Sequence, residues 1–123
     1  MRLTRRQFQR LVLQAVEELP PHVRDSLENV ALLVEDWPSE EYLEEAGEDQ
    51  PGSLFGLYVG VPLPQRYGDL PPLPDTITLF QGPIEEACGT RDEVVREIRI
   101  TVVHEVGHFL GLSEEDLHRL GYS

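Results

Sequence analysis

The amino-acid sequence predicts an α+β fold: a small mixed or antiparallel sheet packed on one long helix, with another helix at the N-terminus and a short one at the C-terminus. Three observations carry this reading. Apolar residues recur at helical spacing in two stretches, one near the start and one near the end. Between them lie three apolar segments of strand length, bounded by turns that carry Gly and Pro. The chain has 123 residues, 40% of them hydrophobic, which suffices for one modest core and not for two. Residues 1–123 are therefore expected to form a single domain.

Each element has a local cause. Thr4-x-x-Gln7 has capping-box form, and Phe8, Leu11, Val12, Ala15, Val16 and Leu19 form one helical stripe, ended by Pro20-Pro21. A short helical turn is expected from His22 to Leu27. Val30 to Val34 is continuously apolar, which predicts a strand buried on both faces. Ser39 caps a short acidic helix closed by Gly47, and Glu48 to Gly52 reads as a polar turn.

Leu54 to Val61 predicts a second strand, in which Gly56 and Gly60 mark a bulge or the close approach of another group. Pro62 to Pro74 holds five prolines and no periodicity, a loop long enough to suggest a role. Asp75 to Phe80 is the third strand, ended by Gly82-Pro83. Thr90-x-x-Glu93 then opens the longest helix, with Val95, Ile98, Val102 and Val106 as its stripe and Val103 and Leu110 extending it. It runs to Gly111, about 22 residues or roughly 33 Å. Ser113 caps a last helix from Glu114 to Leu120, stopped by Gly121.

Charge and cysteine content narrow the function. The net charge of -13 argues against nucleic acid or an anionic membrane as partner, and favours cations and basic peptides. No apolar run approaches the roughly 20 residues of a membrane span, and the N-terminal segment lacks a secretory apolar region, so a cytoplasmic location is expected. Cys88 is the only cysteine, which excludes an intrachain disulfide; it reads as a small buried hydrophobe. Glu40, Glu41, Glu44, Glu45 and Glu48 read as a solvated face that could repel acidic substrates. Trp37, before Pro38, reads as a lid over the core.

The chemistry concentrates in His104-Glu105-x-x-His108. Residues four apart on a helix share a face, so both imidazoles can meet one metal ion. Two neutral imidazoles and a carboxylate with one open position suit Zn2+. Glu105 lies about 100° around the helix from His104, where its carboxylate is placed for general-base work on a metal-activated water. Gly111 is positioned to turn the chain back toward the ion. Of the acids that follow, Asp116 sits three residues after Ser113, where a capping box would occupy it. Glu114 is thus the favoured third ligand and Asp116 the alternative, whereas His118 reads as a surface residue. Tyr58, Tyr67 and Tyr122 could polarise a substrate carbonyl, but a tyrosine in a strand or loop is more often a packing residue.

The run His104-Glu105-Val106-Gly107-His108-Phe109-Leu110-Gly111-Leu112-Ser113-Glu114 resembles the extended His-Glu-x-x-His-x-x-Gly-x-x-Asp/His motif of metzincin-type metallopeptidases. More closely, the chain is similar to the short bacterial zincin-like metallopeptidases, the minimal metalloproteases. That similarity also takes in Gly56-Leu57-Tyr58-x-Gly60-Val61-Pro62-Leu63, Phe80-Gln81-Gly82-Pro83 and Leu117-x-x-Leu120-Gly121-Tyr122. It implies a zincin-like fold, His104, His108 and the acid at 114 as ligands, and Glu105 as acid/base; the hydrolase expectation adds a peptide or protein as substrate. Glu114 is a departure, since that position usually holds Asp or His. By analogy with zincins, Thr76 to Phe80 is expected as the strand edge that pairs with substrate backbone. The competing expectation is an ion-holding regulatory or interaction module without turnover, suited to a chain with little room for substrate pockets.

Overall fold

A computed structural model of the chain describes residues 1–60 and 75–119. The Pro62 to Pro74 loop, Tyr67, Tyr122 and the Leu120-Gly121 stop lie outside the described residues. Thr4 starts helix α1 (Arg5–Glu17) by the expected reciprocal box: Gln7 N–H donates to Thr4 Oγ1 at 3.1 Å and Thr4 N–H donates to Gln7 Oε1 at 2.9 Å. Its stripe of Phe8, Leu11, Val12 and Ala15 is buried. A one-turn helix α2 (Pro21–Asp25) follows, with Pro21 at the first helical position, where its missing N–H costs no helical bond.

The sheet has three strands in the order β1-β3-β2. β1 (Val30–Glu35) runs parallel to β3 (Asp75–Phe80), and β2 (Gly56–Val59) runs antiparallel to it, so the sheet is mixed. This placement corrects two expectations. β1 is an edge strand whose residues alternate between half-buried and exposed, and Leu33 is 46% exposed. An unbroken apolar run had pointed to burial on both faces, yet nothing among the described elements covers the face that carries Ala31, Leu33 and Glu35. β3 is the central strand, with both edges taken, so Thr76 to Phe80 has no edge to offer a substrate.

Helix α3 (Glu40–Ala46) is capped by Ser39 and closed by Gly47 in the left-handed region (φ 71°), as its sequence implies. The polar turn after it contains a single 3-10 turn, Pro51–Ser53. β3 does not end in an irregular turn: it passes directly into helix α4 (Gln81–Ala87). Gly82-Pro83 reads as a break, but proline in a first turn has no intrahelical bond to lose. Trp37 lies against Gly82 at the start of α4 and stays 44% exposed, so it does not roof the core.

Helix α5 (Arg91–Phe109) begins at Thr90, whose hydroxyl accepts the N–H of Glu93. It packs on α1 along one side and on β2 and β3 along another. That double packing widens its buried arc to Val94, Val95, Ile98, Thr101 and Val102. Phe8, Ile77, Leu79, Ile84, Val94, Ile98 and Val102 form the centre of the core, each with no exposed surface, and Cys88 is buried beside them. Leu110, expected in the stripe, is exposed because the helix has already ended. Helix α6 (Glu114–Arg119) completes the described chain.

Candidate metal centre

α5 ends in a turn set by its sequence. Gly111, at φ 80°, donates its N–H to His108 O at 3.0 Å, and Leu112 donates to Gly107 O at 2.8 Å. This pair of bonds is a Schellman closure, which needs a left-handed residue at Gly111. The reversed chain starts α6 at Ser113 and lays it against the last turns of α5. Gly107 makes that approach possible: a Cβ there would collide with the side chain of Leu117, itself buried. The result places Glu114 over the two histidines.

His104 Nε2 lies 2.9 Å from Glu114 Oε1, and His108 Nε2 lies 3.1 Å from the same oxygen. The rings stand 4.8 Å apart at 70°. Both Nε2 atoms thus face one carboxylate oxygen. Tetrahedral zinc with bonds of about 2.0–2.2 Å holds its donors roughly 3.3–3.5 Å apart, so small outward shifts would seat an ion among these three. Two imidazoles and a carboxylate are also the donor chemistry that zinc takes in open sites. The residues present fit the group.

Asp116 is held elsewhere. Its Oδ2 accepts the N–H of Ser113 and its own N–H donates to Ser113 Oγ, both at 3.1 Å, while Arg119 Nη2 donates to Oδ1 at 2.7 Å. These bonds, the Ser113 backbone N–H first, lower its pKa. The capping box expected from the sequence is present, and it draws this carboxylate away from the histidines. His118 is exposed.

Glu105 is one of the few buried charged side chains, 6% exposed. Its Oε1 accepts the backbone N–H of Tyr58, from β2, at 2.8 Å and lies 3.3 Å from His108 Nδ1. Glu105 also belongs to a group with His104 and His108 whose potential ligand atoms lie within 4.8 Å of one another. The bonds from Tyr58 and His108 nevertheless hold it beside the imidazoles, while Glu114 Oε1 touches both Nε2 atoms. The hydrogen bond with Glu105 is the largest cause of a His108 pKa raised to about 9, opposed by burial and aided by Glu114. Glu114 is correspondingly lowered, chiefly by its bond with His108.

The strand beside the site explains two further residues. Phe80 N–H donates to Phe55 O, so by antiparallel alternation Leu57 and Val59 face β3 while Gly56 and Tyr58 turn their backbone groups outward. The outward N–H of Tyr58 is the one that meets Glu105. Gly56 is the expected close approach: a Cβ there would strike the Thr101 methyl and the Thr78 carbonyl oxygen. Tyr58 itself is half-buried, its ring edge-on to Phe109 at 5.8 Å and its hydroxyl donated to the buried Asp75 at 2.8 Å. It therefore acts here through its backbone, a contact that no side-chain pattern announces.

A cleft of about 350 Å3 opens over the histidines, lined by Tyr58, His104, Glu105, His108 and Glu114 and, across it, by Glu45 and Glu48. The last two had read as part of a solvated face. Glu45 lies in the last turn of an acidic helix and Glu48 follows its glycine cap, an arrangement common on exposed surfaces, and only the folded chain brings them to the site.

A mixed sheet whose edge strand borders a long helix bearing His-Glu-x-x-His defines a zincin-like α+β fold. The chain belongs to the zincin-like metallopeptidase family, whose sequence pattern matches residues 27–122, a span that contains every residue of the site. No curated protein matches the chain. Among the described residues no helix is long and apolar enough to cross a membrane.

Proposed function

We propose that this chain is a zinc-dependent peptide hydrolase in which His104, His108 and Glu114 hold the ion and Glu105 moves the proton. The observation that carries the reading is the meeting of His104 Nε2 and His108 Nε2 on Glu114 Oε1, at 2.9 and 3.1 Å, beside a buried carboxylate. Zinc bound there supplies Lewis acidity, lowering the pKa of a water and polarising a carbonyl. The chain's own residues do the rest. With Nδ1 of His108 donating to Glu105, its lone pair lies on Nε2, the atom that faces the ion. Tyr58 N–H and His108 hold Oε1 of Glu105, so Oε2 takes the proton from the attacking water and returns it to the leaving amine.

A peptide enters the cleft that β2 borders and does not pair with the central β3, whose two edges are taken by β1 and β2. A cleft of about 350 Å3 favours this reading over an ion-holding module without turnover, whose appeal was the lack of room for a substrate. The test is Glu105→Gln in zinc-loaded protein against a mixed fluorogenic peptide set. Cleavage falls by at least about a hundredfold while zinc content and unfolding temperature stay close to the parent's. Equal cleavage by the variant rules out the role of Glu105. A parent that cuts no peptide hands the site to the ion-holding module.

A further inference from the structure

A second cavity of about 220 Å3 adjoins the first and shares with it Glu48, Leu54, Gly56, His104 and Glu105. Its lining is of two kinds. Phe55 and Ile100 give it an apolar wall, and Ile100 remains 39% exposed. Glu97, one turn before Ile100 and Thr101 on α5, and Glu48 give it two carboxylates.

Glu48 is built into place. Its backbone N–H donates to Leu43 O at 2.9 Å, closing α3 after Gly47, and its Oε2 accepts the hydroxyl of Ser53 at 2.9 Å. Among the described residues neither Glu48 nor Glu97 takes part in an ion pair. A bare metal ion would gain nothing from Phe55 and Ile100, and a purely apolar side chain would leave two carboxylates facing it. A long side chain with an apolar stem and a cationic head satisfies both walls.

We infer that this cavity is a specificity pocket for a basic side chain, Arg or Lys, on the residue next to the scissile bond, with Glu97 and Glu48 as its determinants. The inference rests on the hydrolase reading, because His104 and Glu105 line the pocket and put it beside the proposed metal centre. Both carboxylates attract the cation, while Ile100 and Phe55 cover its methylenes.

The test uses two acetylated tripeptides ending in a hydroxamate, one with arginine and one with citrulline as last residue. Citrulline keeps the shape and removes the charge, and the hydroxamate grips zinc without being cleaved. Each is titrated into zinc-loaded protein, into Glu97→Gln and into Glu48→Gln, with circular dichroism to confirm that the variants are folded. The arginine compound binds the parent at least about tenfold more tightly, an advantage that shrinks with added salt and falls to about twofold or less in each folded variant. Equal binding of the two compounds by the parent overturns the pocket and leaves the metal site standing. A ratio that survives in both variants overturns Glu97 and Glu48 as its determinants. If neither compound binds zinc-loaded protein, the underlying metal reading fails and the pocket with it.

Discussion

As far as Val102, α5 buries Val94, Val95, Ile98 and Val102 with one threonine; beyond it, the same helix buries a carboxylate and a glycine beside Val106 and Phe109 and leaves two imidazoles part-exposed. The first half is secured by apolar area removed from water, at about 25 cal/mol per Å2. The second half carries costs. Glycine in a helix interior is about 1 kcal/mol worse than alanine, and a buried carboxylate loses its hydration. The N–H of Tyr58 offsets part of the second cost, and the contact of Leu117 with Gly107 answers the first. The difference teaches that the first half supplies the stability which lets the second half be shaped for chemistry.

Mutations separate the two halves. Ile98→Ala opens a cavity at the centre of the core and lowers unfolding free energy by about 2–5 kcal/mol in denaturant titrations. Zinc affinity of the protein that stays folded changes little; a loss of tenfold or more would break the comparison. Glu114→Ala does the reverse, weakening zinc by at least about a hundredfold in competition with a chelator while stability of the zinc-free protein hardly moves.

Gly107→Ala sharpens the contrast, because alanine is the better helix former. A gain in stability with unchanged zinc affinity would show that α6 does not depend on that contact. The expected outcome is instead an affinity loss of about tenfold, as the added methyl displaces Leu117 and carries Glu114 with it. Asp116→Ala removes the acidic partner of Ser113 in the capping box, with a small loss of stability in denaturant titrations and a smaller effect on zinc than Glu114→Ala.

The smallest effect is on pH dependence. In zinc-free protein the His108 pKa is raised from 6.5 to about 9, above its unfolded value. The stability contributed by its bonds is therefore complete below about pH 6.5 and disappears as pH rises through about 9. Zinc competes with that proton, so its affinity rises across the same window. The gap in unfolding temperature between zinc-loaded and zinc-free protein widens from pH 6.5 to 9, and a constant gap would contradict the coupling of His108 to Glu105 and Glu114.

Much of the site was legible because its parts are local. The spacing of His104 and His108, the turn at Gly111 and the box joining Ser113 to Asp116 each involve residues within six positions of one another, and together they favour Glu114 over Asp116 as third ligand. What was not legible comes from contacts across the chain. The N–H of Tyr58 reaches Glu105 from 47 residues away, through a backbone group that any residue would present. The edge position of β1 depends on strand order, which an apolar run does not encode, and α4 was hidden by a Gly-Pro pair that a first helical turn accommodates. Glu45 and Glu48 line the cleft only because the fold brings the end of α3 and the residues after it to the same cleft as the histidines of α5.

The central claim is that the C-terminal half of α5 and the turn beyond it hold one metal ion. Metal analysis of protein purified without a histidine tag and without added metal tests it most directly. The parent is expected to carry about one zinc per chain, and His104→Ala and His108→Ala none, with both variants folded. Zinc retained at the parent's stoichiometry in both variants would place the ion elsewhere and contradict the claim.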